Sequence, residues 1–149
     1  MAYLVETSIL ARLANPSDAY HSVATHAILT LHRQGESLRT SPQNLIEFRN
    51  CATRPTNVNG LGLSPAVAEM KTATFESLFP LLPETPDIYP AWKALVQANA
   101  IIGKQVHDAR LVAVCHVYGI SHVLTFNVQH FARLAAFGPG LIVVDPHSV

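Results

Sequence analysis

Short apolar runs alternate along this chain with longer stretches in which apolar residues recur every three or four positions. Ala2–Val5 is a run ending at Glu6, the mark of a short buried strand. Thr7 or Ser8 is placed to cap a short helix over Ile9–Leu13. Asn15-Pro16-Ser17-Asp18 has the chemistry of a turn. Val23, Ala27, Ile28 and Leu31 then predict a helix over Ala19–Arg33, with Gly35 as its stop. Ser37–Thr40 reads as a second strand. Ser41-Pro42 is a cap followed by a first-turn proline, and it opens a helix over Gln43–Thr53 that carries Glu47. Arg54-Pro55 stops that helix, and Thr56–Leu63 reads as a loop.

Ser64-Pro65 repeats the cap signal before a helix over Ala66–Leu78. Phe79–Leu82 is a candidate strand, and Pro83–Pro86 is a turn. Ile88, Trp92, Leu95 and Val96 predict an amphipathic helix over Asp87–Ala100. Gly103-Lys104-Gln105-Val106 reads as a connector to a helix over His107–Tyr118, with Asp108 in its first turn and Gly119 at its end. A strand over His122–Thr125, a helix over Asn127–Ala136 and a last strand over Leu141–Val144 complete the pattern. No Asn-Gly hairpin signal separates the strands. Strands alternating with helices predict an α/β fold in three layers, with a mainly parallel sheet covered on both faces. The length of 149 residues fits one domain over 1–149.

Composition adds three bounds. Hydrophobic residues make up 49% and charged residues 13%, enough apolar material for a sizeable core. Formal net charge is +0, so no overall basic surface announces nucleic acid. The two cysteines, Cys51 and Cys115, lack any metal or redox spacing and read as buried small hydrophobes. No segment approaches the ~18 apolar residues of a membrane span. Met1 leads straight into a strand without a basic leader, and the expected location is cytoplasmic.

Glu6, Glu47, Asp108 and Asn127 each fall near a strand end or in the first turns of a helix. In an open parallel sheet, ligands bind beyond the carboxyl ends of the strands. Carboxylates near a core need partners, and a hard divalent cation takes oxygen ligands. Taken singly, Asp108 is also explained by the helix dipole and Glu47 by simple solvation. Glu6 is harder to explain that way, because it follows a buried strand. Thr7, Ser8 and Thr125 are candidates to hydrogen-bond these acids. His107 neighbours Asp108 but faces elsewhere on a helix, so it reads as structural. His116 and His122 read as surface or packing residues. The loop Arg54-Pro55-Thr56-Asn57-Val58-Asn59-Gly60 reads equally well as a substrate contact and as an ordinary helix stop.

The order of these motifs resembles the PIN domain family, which includes the VapC-type toxins. The run Glu6-Thr7-Ser8-Ile9-Leu10 is similar to the family's leading acid motif, with Glu where the family has Asp. Glu47 is similar to its helical acid, and His107-Asp108-Ala109-Arg110-Leu111 to its third motif. Leu124-Thr125-Phe126-Asn127-Val128-Gln129-His130-Phe131 resembles the fourth, with His130 where Asp is common. The resemblance covers about Tyr3 to Val144. It implies a PIN-like fold and a metal-dependent endoribonuclease. Glu6, Glu47 and Asp108 would hold Mg²⁺ or Mn²⁺, and Asn127 would contribute to the site. It further implies an RNA substrate, a small antitoxin protein as partner, and a homodimer. The alternative is a PIN-like module that binds RNA or protein without turnover. A flavodoxin-like small-ligand or receiver domain is disfavoured, because no glycine-rich phosphate loop follows the first strand.

Overall fold

The computed structural model describes residues 1–137 and 140–149. Four strands are present among them: β1 (Ala2–Val5), β2 (Ser37–Arg39), β3 (His122–Leu124) and β4 (Ile142–Val144). Seven α-helices join them: α1 (Thr7–Leu13), α2 (His21–Arg33), α3 (Pro42–Thr53), α4 (Pro65–Leu78), α5 (Ile88–Ala98), α6 (Gln105–Tyr118) and α7 (Val128–Ala135). The sheet order is β2-β1-β3-β4, and every pairing is parallel. Successive strand residues point to opposite faces. Tyr3, Val5, Leu38 and Leu124 therefore join a core built with α1, α2, α3 and α4. Leu4 and Val123 join a second core with α5, α6 and α7. Helices cover both faces of one parallel sheet in three layers.

The topology places a switch point between β1 and β3. From β1 the chain crosses to β2 on one side, and later returns to β3 on the other. The carboxyl ends of β1 and β3 thus lie side by side with their following segments leaving to opposite faces, which opens a crevice. Pairing extends past the strands there: the Glu6 backbone N–H donates to the Leu124 carbonyl at 3.1 Å.

Local chemistry explains most boundaries. Ser41 caps α3 in a reciprocal box with Asn44, and Pro42 occupies the first turn. Ser64 caps α4 ahead of Pro65. Gly119 ends α6 at φ 64°, a conformation glycine adopts without steric cost. Three expectations change. Glu6, not Thr7 or Ser8, caps α1, because its longer side chain reaches the Ser8 N–H. The segment Phe79–Leu82 forms only an isolated bridge, Thr40 to Leu81, since Pro80 has no N–H to donate and the chain turns away after Leu82. Gln105 and Val106 belong to α6 rather than a connector, because the Val106 N–H already bonds the Gly103 carbonyl in a helical turn. Of the cysteines, Cys115 is buried, and burial pushes its thiol up to about 12, whereas Cys51 is only half-buried. No helix among the described residues is long and apolar enough to cross a membrane.

Phe48 is fully buried under α3 and meets Phe75 of α4 edge-on, with ring centroids 5.0 Å apart. Truncation to Phe48→Ala should cost about 3–5 kcal/mol through lost burial and the cavity left behind. Ile46 sits on the same helix but is 71% exposed, so Ile46→Ala should stay within about 0.5 kcal/mol of the parent. Urea unfolding of the two variants checks this, and similar midpoints would refute the packing described.

Candidate active site

Glu6 ends β1 and starts α1, and it is only 3% exposed. A buried carboxylate must be hydrogen-bonded to be tolerated. Its Oε2 accepts three bonds: from the Ser8 N–H at 3.0 Å, the Ser8 hydroxyl at 2.6 Å and the Thr125 hydroxyl at 2.8 Å. Its Oε1 accepts none among the described residues, and the side chain lines an open cavity of about 490 Å³. One oxygen is anchored and the other is available.

Glu47 lies in the second turn of α3 and faces the same cavity. The Thr7 hydroxyl donates to its Oε2 at 2.8 Å, and the Gln43 amide donates to its Oε1 at 2.8 Å. Thr7 is itself held by the Asn44 amide at 3.1 Å. Asp108, in the first turn of α6, also lines the cavity and is half-buried. Its Oδ2 lies 3.9 Å from His130 Nδ1, a pairing that carries charge only when the histidine is protonated. Asn127 is exposed at the cavity edge, and its backbone N–H donates to the Thr125 hydroxyl at 3.0 Å. The fold therefore gathers Glu6, Glu47, Asp108 and Asn127 on one cavity at the switch point. Thr7, Ser8 and Thr125 each donate to one of its carboxylates.

The electrostatics follow from this crowding. Burial raises the Glu6 carboxyl above its ordinary value, the Ser8 and Thr125 bonds pull it back, and Glu47 pushes it up again. Burial likewise raises Asp108, Glu47 adds to that, and His130 and His107 oppose it. Neither carboxyl gains a lysine or arginine among the groups that set its level. This oxygen-only, mutually repelling donor set fits a hard divalent cation, which needs one or two direct carboxylates and fills its remaining positions with water or phosphate. Among the described residues, however, no three His, Cys, Asp or Glu side chains form a close metal-holding group. The fit is to a cation shared between cavity walls, not to a closed cage.

Two supporting residues escaped the sequence analysis. Gln43 bridges Glu47 and the His107 carbonyl, and Asn44 fixes Thr7. Their signal was present: they precede Glu47 by four and three positions, spacings that share a helix face. Arg12 and Arg54 also line the cavity. Arg12 was not singled out in sequence. His122 proves to be a packing residue, stacked on Tyr3 at 4.5 Å.

No protein-family model matches the chain, and no curated protein matches it in sequence. Solved structures do match. A chain of VapBC2 from Rickettsia felis, crystallised on a DNA fragment from its promoter, superposes with a TM-score of 0.70 at 16% identity, over 97% of this chain and 98% of that one. VapC20 from Mycobacterium tuberculosis, a Sarcin-Ricin loop cleaving toxin, gives 0.63 at 23% identity over 88% and 94%. A toxin-antitoxin complex from Klebsiella pneumoniae gives 0.64 at 22% identity over 97% of each chain. The protein has the VapC-like PIN-domain fold.

The raised Glu6 carboxyl has a thermodynamic consequence. The folded state holds the Glu6 proton more tightly than the unfolded state. Its contribution to stability is therefore greatest in acid and is lost as pH rises from the ordinary glutamate range through the raised value. The variant Glu6→Gln keeps an oxygen for Ser8 and Thr125 but removes the buried charge. Its melting temperature should exceed the parent's by more at mildly alkaline pH than in acid. A pH series of thermal melts tests this, and an advantage that is flat or shrinks with pH would contradict the assignment.

Proposed function

We propose that this protein is a Mg²⁺- or Mn²⁺-dependent endoribonuclease that cleaves RNA phosphodiester bonds, the toxin of a toxin–antitoxin pair. The observation that carries the reading is the convergence of Glu6, Glu47 and Asp108 on one open cavity at the switch point of a VapC-like fold. Glu6 through its free Oε1, Glu47 and Asp108 would hold the cation, with Asn127 at its edge. The bound ion would supply positive charge at the scissile phosphate and would lower the pKa of a water so that, once deprotonated, it can attack. The chain's own groups do the rest. Ser8 and Thr125 fix the Glu6 carboxylate, Thr7 and Gln43 fix Glu47, and the open cavity admits a polymer backbone. A small antitoxin protein as partner and a homodimer are part of the same proposal. The antitoxin partner is supported by the toxin-antitoxin complexes among the solved structures with this fold.

One observation favours a second reading. Glu6 is committed through Oε2 as the cap of α1, and no close metal-holding group is formed among the described residues. A module that binds RNA or protein without turnover would need no more than this. Metal-dependent cleavage separates the two.

Purified protein, free of any antitoxin, should cleave a mixed RNA pool in Mn²⁺ or Mg²⁺ and not in EDTA. Groups that merely support metal ligands are worth about 10–100-fold, so Asp108→Asn should lower the rate by at least ~100-fold. Glu6→Asp, which withdraws the carboxylate by one carbon, reports whether the longer side chain slows turnover. A folded parent and a folded Glu6→Asp that both fail to cleave would favour the binding module.

A further inference from the structure

Two arginines share the cavity with Glu6, Glu47 and Asp108, and neither pairs with those three; Arg12 is in a loose ion pair with Asp18, which also lines the cavity. Arg12 ends α1, the helix that Glu6 begins, and Arg54 caps the end of α3, the helix that carries Glu47. The two helices pack against each other. Each runs from an acid to an arginine. At the rise of an α-helix, six residues separate Glu6 from Arg12 by about 9 Å, and seven separate Glu47 from Arg54 by about 10 Å. Along both helices the arginine thus follows the acid by about two turns of backbone.

Both guanidinium groups are held in place and left with spare capacity. Arg12 lies over the Phe126 ring at 5.3 Å from its centroid, and its Nε is 3.8 Å from Asp18, too far for a hydrogen bond. Arg54 donates from Nη2 to the Asn59 carbonyl at 3.1 Å and has no carboxylate within ion-pair distance among the described residues. The Nε atoms of Arg12 and Arg54 are buried without a hydrogen-bond acceptor among the described residues, so only the terminal guanidinium nitrogens are left to meet a ligand. The loop after α3 builds a collar around Arg54. Gly62 N–H donates to the Arg54 carbonyl at 2.8 Å, and Gly60 N–H to the Pro55 carbonyl at 3.1 Å. A Cβ at Gly60 would stand 2.1 Å from the Arg54 carbonyl oxygen, so only glycine allows the collar to close.

We propose that Arg12 and Arg54 form a backbone clamp that grips a non-scissile phosphate of single-stranded RNA while the neighbouring linkage lies at the carboxylates. A planar guanidinium with unused donors suits a phosphate's paired oxygens. The identity of the ligand rests on the ribonuclease reading. The clamp also reconciles a net charge of +0 with nucleic-acid binding: two localised cations stand in for a basic surface.

The test separates grip from chemistry. Fluorescence anisotropy of a labelled single-stranded RNA on the full chain in EDTA, over a series of salt concentrations, measures binding alone. Cleavage of the same RNA in Mn²⁺ measures the other reading. Arg54→Gln should weaken binding roughly tenfold, the loss expected for a charged hydrogen bond. It should also lower the slope of log affinity against log salt by about 0.7, the share of one single-strand phosphate. Arg54→Lys should keep the slope and lose part of the affinity. Gly60→Ala should mimic Arg54→Gln in affinity, with no charge removed. Thermal melts confirm that each variant folds. A parent that does not bind RNA, or a slope unchanged in Arg54→Gln, overturns the clamp. Unchanged binding in Arg54→Gln beside intact Mn²⁺-dependent cleavage overturns the clamp and leaves the ribonuclease standing. Binding that needs Arg54 without any cleavage leaves the clamp standing and removes the ribonuclease.

Discussion

A single oxygen, Oε2 of Glu6, ties together the parts of this protein that matter. A charged group that is 3% exposed is tolerated only when its surroundings are polar and preorganised. Ser8 supplies two donors from the first turn of α1, and Thr125 supplies a third from just beyond β3. The network then spreads. The Ser8 hydroxyl accepts from the Phe126 N–H at 3.0 Å, and the Thr125 hydroxyl accepts from the Asn127 N–H at 3.0 Å. One carboxylate therefore starts a helix, pins the segment after β3 and sets the edge of the cavity. The sheet makes this possible, because the order β2-β1-β3-β4 brings residues 6 and 125 together across 119 positions of sequence.

The same arrangement explains why the site is built from neutral hydroxyls and amides around its acids. Lysines or arginines against Glu6, Glu47 and Asp108 would have neutralised them and left no call for a cation. Thr7, Ser8, Thr125 and Gln43 instead orient the carboxylates while leaving their charge in place. The cost is electrostatic. Burial and the Glu47 charge raise both Glu6 and Asp108, and a compensating cation would oppose both effects. Such sites trade stability for a function that depends on unmet charge.

Much of the layer architecture was legible in the sequence because its signals are local. Apolar runs marked β1 and β3, and Ser-Pro pairs marked α3 and α4. The acids could be singled out as chemically costly, but their convergence could not be computed from spacing, since it depends on strand order. The cap of α1 departs from the local sequence signal for a physical reason. Glutamate is a poor N-cap in general, and only the fixed exit of β1 lets its longer chain fold back onto Ser8. The segment Phe79–Leu82 has strand-like composition, yet Pro80 removes a donor and leaves one bridge. Arg12 and Arg54 were invisible as a pair, because 42 positions separate them and only the packing of α1 on α3 sets them in one cavity.

The net charge of +0 looks unfavourable for a protein that handles a polyanion, but the sum conceals how charge is placed. Arg49 is paired with Glu69 and Arg110 with Glu84, both on the surface, where such pairs contribute little to stability and cancel at a distance. Arg110 also donates to Gln43, so its guanidinium is already occupied by the network that holds Glu47. Among the described residues Arg54 has no such acidic partner, and Arg12 has only a loose one. Arg12 and Arg54 thereby bring positive charge to the cavity that also holds Glu6, Glu47 and Asp108. Acids followed by arginines along two packed helices line one groove. A phosphodiester chain held by a cation at the acids and by the arginines would satisfy both at once, which a bare metal ion cannot do.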